Sequence, residues 1–140
     1  MLLRSLALLG SLVFAGSVWA LEPDALFGAW TTVVDDAGKP DCGVFVEVFD
    51  EQGEIWGLLL GLQPASNVEP IYEGTWRVTP GERIVLDPPD APAYASTVKL
   101  DESGSLVIQR IEPGAPESVY YRCGPSDTDL ILGILAAHKR

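Results

Sequence analysis

The sequence predicts an all-β fold, an antiparallel meander of about eight strands that closes into a small barrel or folds as a sandwich. Short turn motifs recur along the chain, the segments between them alternate apolar and polar residues, and no helical pattern interrupts them before the C-terminus. Closure into a barrel is favoured because it removes the exposed strand edges that promote aggregation.

The first 20 residues have the features of a secretory signal peptide. Arg4 precedes an apolar stretch over residues 6–18, and Val18-Trp19-Ala20 is a small-x-small cleavage site. Cleavage there leaves one domain, residues 21–140, beginning at Leu21. The apolar stretch is short for a membrane anchor, and no later stretch is long enough to span a bilayer. We therefore expect a periplasmic or secreted protein.

Four turn motifs separate most of the predicted strands. Each contains a glycine that can adopt the positive φ of a short hairpin loop, and Gly38 is assigned a structural role on this ground. The motifs are Asp35-Asp36-Ala37-Gly38, Asp50-Glu51-Gln52-Gly53, Thr79-Pro80-Gly81-Glu82 and Asp101-Glu102-Ser103-Gly104.

The eight predicted strands lie between these turns. They cover residues 29–34, 43–49, 54–60, 72–78, 83–87, 96–100, 105–111 and 118–123. In the fourth, Tyr72, Gly74, Trp76 and Val78 alternate with polar residues and so share one face. Two longer loops, 63–70 and 88–94, are expected to form the rim of a barrel mouth.

The segment after Gly124-Pro125 is predicted to be a helix that runs to Lys139, with a ninth strand over 129–135 as the alternative. Ser126 to Asp129 offer N-caps, and an apolar face is formed by Leu130, Ile131, Ile134 and Leu135. The strands carry apolar side chains on both faces. Either this helix or a partner protein is expected to cover the surplus face.

Charge excludes two classes of partner. The chain has 9 basic and 20 acidic residues, and cleavage removes one base, Arg4. A surface this acidic repels nucleic acid and anionic lipid.

The two cysteines, Cys42 and Cys123, both lie in the exported part of the chain, where an oxidising compartment favours a disulfide. A strict meander opposes the bond, because it places the two residues at opposite ends of strands that span about 20 Å. A disulfide needs Cα atoms within about 7 Å. We predict the bond, provided that loop 35–43 carries Cys42 part of the way or that the strand count is wrong.

Catalytic motifs are sparse. The sole histidine, His138, is three residues from the end, which argues against a catalytic triad and a zinc site. The acidic turns lack the ligand spacing of a calcium loop. We expect no metal and no cofactor, although two carboxylates that meet in space remain open as a hydrolytic pair.

Aromatic residues provide the candidates for ligand binding. Trp30 is interpreted as a core plug, and core packing is also the favoured role of Trp56 and Trp76. The remaining interpretation is that Trp56, Trp76 or Tyr72 lines a pocket.

Two resemblances support this fold. Gly28-Ala29-Trp30 resembles the opening of lipocalin-like (calycin) barrels, in which the tryptophan plugs the closed end. The longer string from Gly28 to Pro40, followed by Glu51-Gln52-Gly53-Glu54-Ile55-Trp56-Gly57, resembles a family of small exported bacterial proteins of uncharacterised function. The resemblance implies export, a barrel-like fold and structural roles for Gly28, Trp30, Gly38 and Gly57. It implies no reaction.

The sequence thus predicts a non-enzymatic binding or interaction module of the bacterial envelope, whose ligand is small and apolar or is another protein. The alternative is an envelope hydrolase with paired carboxylates, or a hydrolase inhibitor. The oligomeric state stays open.

Overall fold

Eight antiparallel strands form a closed barrel in a computed structural model that describes residues 21–60, 68, 70–81 and 83–139. Each strand pairs with the next, and β8 pairs with β1. The predicted meander is therefore confirmed. The strands are β1 Gly28–Thr31, β2 Phe45–Phe49, β3 Glu54–Leu59, β4 Pro70–Thr79, β5 Arg83–Asp87, β6 Tyr94–Leu100, β7 Leu106–Arg110 and β8 Glu117–Arg122. The predicted signal peptide and most of loop 63–70 lie outside the described residues.

Three hairpin turns share one arrangement of hydrogen bonds. Oδ1 of Asp35 accepts from the backbone N–H groups of the residues two and four positions later, both at 2.9 Å. Asp50 and Asp101 do the same in their turns. The last residue of each motif is a glycine at φ of 76°, 78° or 83°. The aspartate and glycine of the predicted motifs therefore satisfy the backbone where each hairpin reverses.

The barrel is closed at the end where β1 begins. A 3-10 helix, Pro23–Leu26, places Leu26 against Trp30, whose Nε1 donates to the Leu26 carbonyl at 2.9 Å. The Arg122 guanidinium lies 4.1 Å from the centre of the Trp30 ring and donates to the carbonyls of Ala25 and Phe27. Trp30 is fully buried. Apolar side chains and one arginine thus seal this end.

The C-terminal segment is a helix, α1 Pro125–His138, and not a ninth strand. It covers the outer face of β1, β2 and β3, where Ile131 and Leu135 pack against the outward side chains Ala29, Val46, Val48, Trp56 and Leu58. The surplus apolar face is thus covered by the helix. Among the described residues, no helix is long and apolar enough to cross a membrane.

Two details of this helix differ from the prediction. Its N-cap is Gly124 with Pro125 in the first turn, and no side-chain cap is formed within the described residues. Proline suits this position because its fixed φ is helical and the first N–H needs no partner. Leu130 is 60% exposed, because the buried stripe centres on Ile131 and Leu135 and leaves Leu130 at its edge.

The disulfide between Cys42 and Cys123 is present, with Cα atoms 6.0 Å apart. It coexists with the eight-strand meander because β1 has only four residues. After Thr31 the chain doubles back, and the Asp41 N–H donates to the Val33 carbonyl at 2.9 Å. The loop thus returns Cys42 along β1 toward Cys123, whose N–H donates to Ala29. Both cysteines belong to the outer apolar cluster beneath the helix.

Candidate functional site

The end of the barrel opposite Trp30, where β2, β4, β6 and β8 begin, is called the mouth. The inward rows of these four strands include four polar or aromatic residues that line one cavity, and the first of them is paired with Trp30 across β1 and β2. These residues are Glu47, Tyr72, Tyr94 and Tyr120. Glu47 is the one acidic residue in the inward rows of the described strands.

Two phenols converge on one oxygen of Glu47. The Tyr72 hydroxyl donates to Glu47 Oε1, and the Tyr120 hydroxyl donates to the same atom over a longer 3.4 Å. Within the described residues, no group donates to Oε2 and no cation forms an ion pair with Glu47. One carboxylate oxygen is therefore left for another donor.

Two glycines on the inner face create the space for this arrangement. Gly57 lies opposite Tyr72 in the pairing of β3 with β4, and a Cβ atom at Gly57 would come within 2.2 Å of the tyrosine ring. A Cβ at Gly74 would lie 2.7 Å from the Asp87 carbonyl oxygen and 3.2 Å from Pro88 Cα. The first glycine lets the Tyr72 ring lie across the sheet, and the second lets the chain leaving β5 pass close to β4.

A cavity of about 90 Å³ opens among these residues. Glu47 and the three tyrosines line it, together with apolar atoms of Ile55 and Leu86 and the chain from Asp87 to Pro88. Liquid water occupies about 30 Å³ per molecule, so the cavity has room for roughly three waters or a small ligand group.

Burial dominates the electrostatics of the cavity. Desolvation raises the pKa of Glu47, although the hydrogen bonds from Tyr72 and Tyr120 act in the opposite direction. Desolvation and the nearby Glu47 charge raise the pKa of both phenols. Tyr72 and Tyr120 therefore remain protonated hydrogen-bond donors at neutral pH, whereas Glu47 lacks the cation that would hold it ionised.

Both inward arginines are engaged by other groups. Arg110 lies 3.9 Å from the centre of the Tyr94 ring and 3.6 Å from Glu112. Arg122 lies over the Trp30 ring and donates to the Phe27 carbonyl at the closed end of the barrel. Neither supplies a counter-charge to Glu47 in the described structure.

The interior also holds two buried polar atoms without a hydrogen-bond partner among the described residues, Trp76 Nε1 and Ser96 Oγ. Their strand pairings place both side chains in inward rows, opposite Leu86 and Ile84 respectively. An unpaired buried donor costs about 1 to 3 kcal/mol.

The structure separates the three candidate ligand residues. Tyr72 lines the cavity. Trp76 is buried in the core, edge-on to Phe27 and Phe49 with ring centres 6.0 and 5.2 Å away. Trp56 faces outward, beneath His138 and Lys139 at the end of the helix. Of the three, Tyr72 alone lies among the residues that line the mouth cavity.

Sequence reasoning missed Glu47, Tyr94 and Tyr120. The available signal was the alternation in β2, where Glu47 shares a face with Phe45 and Phe49. An acid on the same face as two phenylalanines is a candidate for an inward functional group.

Carboxylates do meet on the outside of the barrel, where a groove is lined by Glu54, Glu73 and Asp87. Glu54 is paired with Lys139 at 3.2 Å. Glu73 and Asp87 are exposed and occupy outward positions of β4 and β5. Two of the three carboxylates in this groove therefore face solvent instead of converging in an enclosed cleft. Within the described ranges, no three His, Cys, Asp or Glu residues are grouped to hold a metal ion.

No protein-family model matches the chain, and a search of curated proteins finds no match.

Proposed function

We propose that the protein is an exported, non-enzymatic binding module that holds a small ligand in the mouth of its barrel. The observation that carries this proposal is the cavity of about 90 Å³ around Glu47 and three tyrosines. Concave sites lined by aromatic side chains with a few convergent polar groups are the usual form of a small-ligand site.

The polar lining refines the kind of ligand. A wholly apolar ligand would leave the Glu47 carboxylate without a partner at Oε2, at a cost in desolvation. We therefore favour a ligand that joins a hydrogen-bonding group to a small apolar part, the latter contacting Ile55 and Leu86.

A fragment survey by NMR tests the proposed site. We expect fragments with a hydrogen-bond donor to shift the backbone resonances of Glu47, Tyr72 and Tyr120 in the ¹⁵N-labelled protein. Leu86→Phe should weaken this binding, because residue 86 faces the cavity and a larger side chain fills it. Val85→Phe is the matched control, since Val85 faces outward on the same strand. Binding confined to the outer surface would contradict the proposal and favour a protein partner.

Export rests on the N-terminal sequence and agrees with the disulfide, which persists in oxidising compartments. We expect the protein produced in a Gram-negative host to begin at Leu21, which mass spectrometry of the periplasmic or secreted material measures. Recovery of the uncleaved Met1 product in the membrane fraction would contradict export as a soluble domain.

A further inference from the structure

We propose that the ligand group held in the mouth is a primary ammonium ion, whose nitrogen donates to Glu47 Oε2. This inference rests on the proposed function and names the chemical class of its ligand.

The first argument is the unpaired oxygen. Tyr72 and Tyr120 both donate to Oε1, so the carboxylate is oriented while Oε2 is left without a donor among the described residues. A hydrogen bond between an ionised donor and an ionised acceptor is roughly twice as strong as a neutral one. An ammonium group is positively charged and donates hydrogen bonds, so it is a suitable partner for Oε2.

The second argument is the missing counter-charge. The inward charged and titratable groups of the other strands around Glu47 are Tyr72, Tyr94, Tyr120, Arg110 and Arg122, and the acidic residues Glu73 and Asp87 contribute to the cavity wall. Arg110 lies over the Tyr94 ring and forms an ion pair with Glu112. Arg122 lies over the Trp30 ring and donates to two backbone carbonyls. A ligand cation would compensate a partly buried carboxylate that the described residues leave without an ion pair.

The third argument is the aromatic and acidic surroundings. Three tyrosine rings line the cavity, and aromatic rings attract ammonium ions, although Arg110 already lies over the ring of Tyr94. The protein carries a net charge of −11, and Glu73 and Asp87 contribute atoms to the wall of the cavity. The field of the whole molecule therefore concentrates cations at the mouth and repels anions.

Three probes of similar shape and different charge test the inference. The intact purified protein is titrated with n-butylammonium, n-butanol and butyrate at constant ionic strength, with binding followed by NMR shifts at the mouth. We expect n-butylammonium to bind at least about tenfold more tightly than n-butanol, and butyrate to show no binding at the mouth.

Two isosteric variants separate the site from the general acidity of the surface. Glu47→Gln should weaken n-butylammonium binding about tenfold or more, while n-butanol binding changes little. Glu117→Gln is the control, because it removes the same charge from an exposed outward position of β8 that does not line the cavity. It should leave the n-butylammonium affinity within about twofold of the original.

The pH dependence provides an independent readout. Desolvation raises the pKa of Glu47 above its ordinary value, although hydrogen bonds from Tyr72 and Tyr120 act in the opposite direction. Ammonium binding requires the ionised form, so affinity should rise as the pH increases through the raised pKa of Glu47 and then level off. Glu47→Gln should abolish this rise.

The outcomes are distinct. Equal affinities for n-butanol and n-butylammonium at the mouth would overturn the ammonium assignment and leave the binding function standing. Binding of n-butylammonium that is unaffected by Glu47→Gln would place the cation elsewhere and overturn it as well. Failure of every fragment and probe to bind at the mouth would overturn both the inference and the proposed function.

Discussion

At Gly57, the Tyr72 ring occupies the space that the Cβ of any other residue would need. Gly57→Ala should displace this ring, break the hydrogen bond from Tyr72 to Glu47 and cost about 1 to 3 kcal/mol in the free energy of unfolding. Chemical denaturation measures the loss. Gly133→Ala is the control, since nothing lies within 4 Å of the new Cβ, and it should stabilise the helix by about 0.5 to 1 kcal/mol. Equal effects of the two substitutions would mean that Tyr72 adjusts without cost.

Trp30 contributes its whole side chain to the closed end and forms a hydrogen bond to Leu26. Trp30→Ala should lower the free energy of unfolding by about 3 to 5 kcal/mol, because the cavity left behind cannot refill. Denaturant titration gives this value. A loss below about 1 kcal/mol would show that the residue does not plug the barrel.

At this scale the sequence located one site residue and missed the others. Alternation in β4 placed Tyr72 on the same face as Trp76, and the strand pairing puts both inside. The inward position of Glu47 was not predicted, because β2 is apolar on both faces, with Val46 and Val48 outward beneath the helix. In such a strand, alternation does not identify which face is the interior.

At the scale of the elements, Lys139 attaches the C-terminal end of the helix to the hairpin between β2 and β3. Its Nζ lies 2.9 Å from Asp50 and 3.2 Å from Glu54, and 4.9 Å from the centre of the Trp56 ring. Burial alone would raise the pKa of Asp50, but hydrogen bonds from Lys139 and others lower it overall. The ion pair between Lys139 and Asp50 therefore depends on an ionised Asp50.

Lys139→Met should cost about 0.5 to 1 kcal/mol at neutral pH, since the pair is partly exposed. Because the pKa of Asp50 is lowered in the folded state, its contribution is present above the unfolded pKa and is lost as the pH falls below about 4. The stability difference between the original protein and the variant should therefore shrink in acid. Thermal denaturation across pH measures it, with Lys99→Met on exposed β6 as the charge-matched control. A difference that is independent of pH would argue against the ion pair.

The turns and strands were largely predictable from local chemistry, since each aspartate and glycine pair satisfies the backbone of its own hairpin. The bounds of β1 were not predictable in this way. The predicted strand ran from residue 29 to 34, but the Thr31 hydroxyl donates to the Phe45 carbonyl at 2.6 Å and accepts from the Val33 N–H. This contact between residues distant in sequence ends the strand early, and alternation alone does not show it.

For the molecule as a whole, the disulfide is the main covalent constraint. The double substitution of Cys42 and Cys123 by serine should lower the free energy of unfolding by about 2 to 5 kcal/mol. Denaturation of the oxidised and variant proteins measures the difference. Mass measurement after alkylation provides the check, because both thiols should react only after reduction. Alkylation of both thiols in unfolded protein without reduction would contradict the bond.

The overall topology was predictable because consecutive hairpins leave few ways to close eight short strands. The cavity was not predictable, because it depends on side chains from four strands that meet in the interior of the barrel. Glu47 and Tyr120 are 73 residues apart, and only the register of the closed sheet brings their side chains together.

The link between Cys42 and Cys123 also determines how the molecule would respond to a mechanical load. It closes a covalent ring that contains β2 to β8, whereas β1 and the C-terminal helix lie outside it. A pull on the two ends would peel away the helix and β1, after which the tension would pass directly through the sulfur atoms. Glu47 and the three tyrosines all lie within the ring. The residues that line the cavity thus occupy the part of the chain that stretching cannot unravel while the bond is intact.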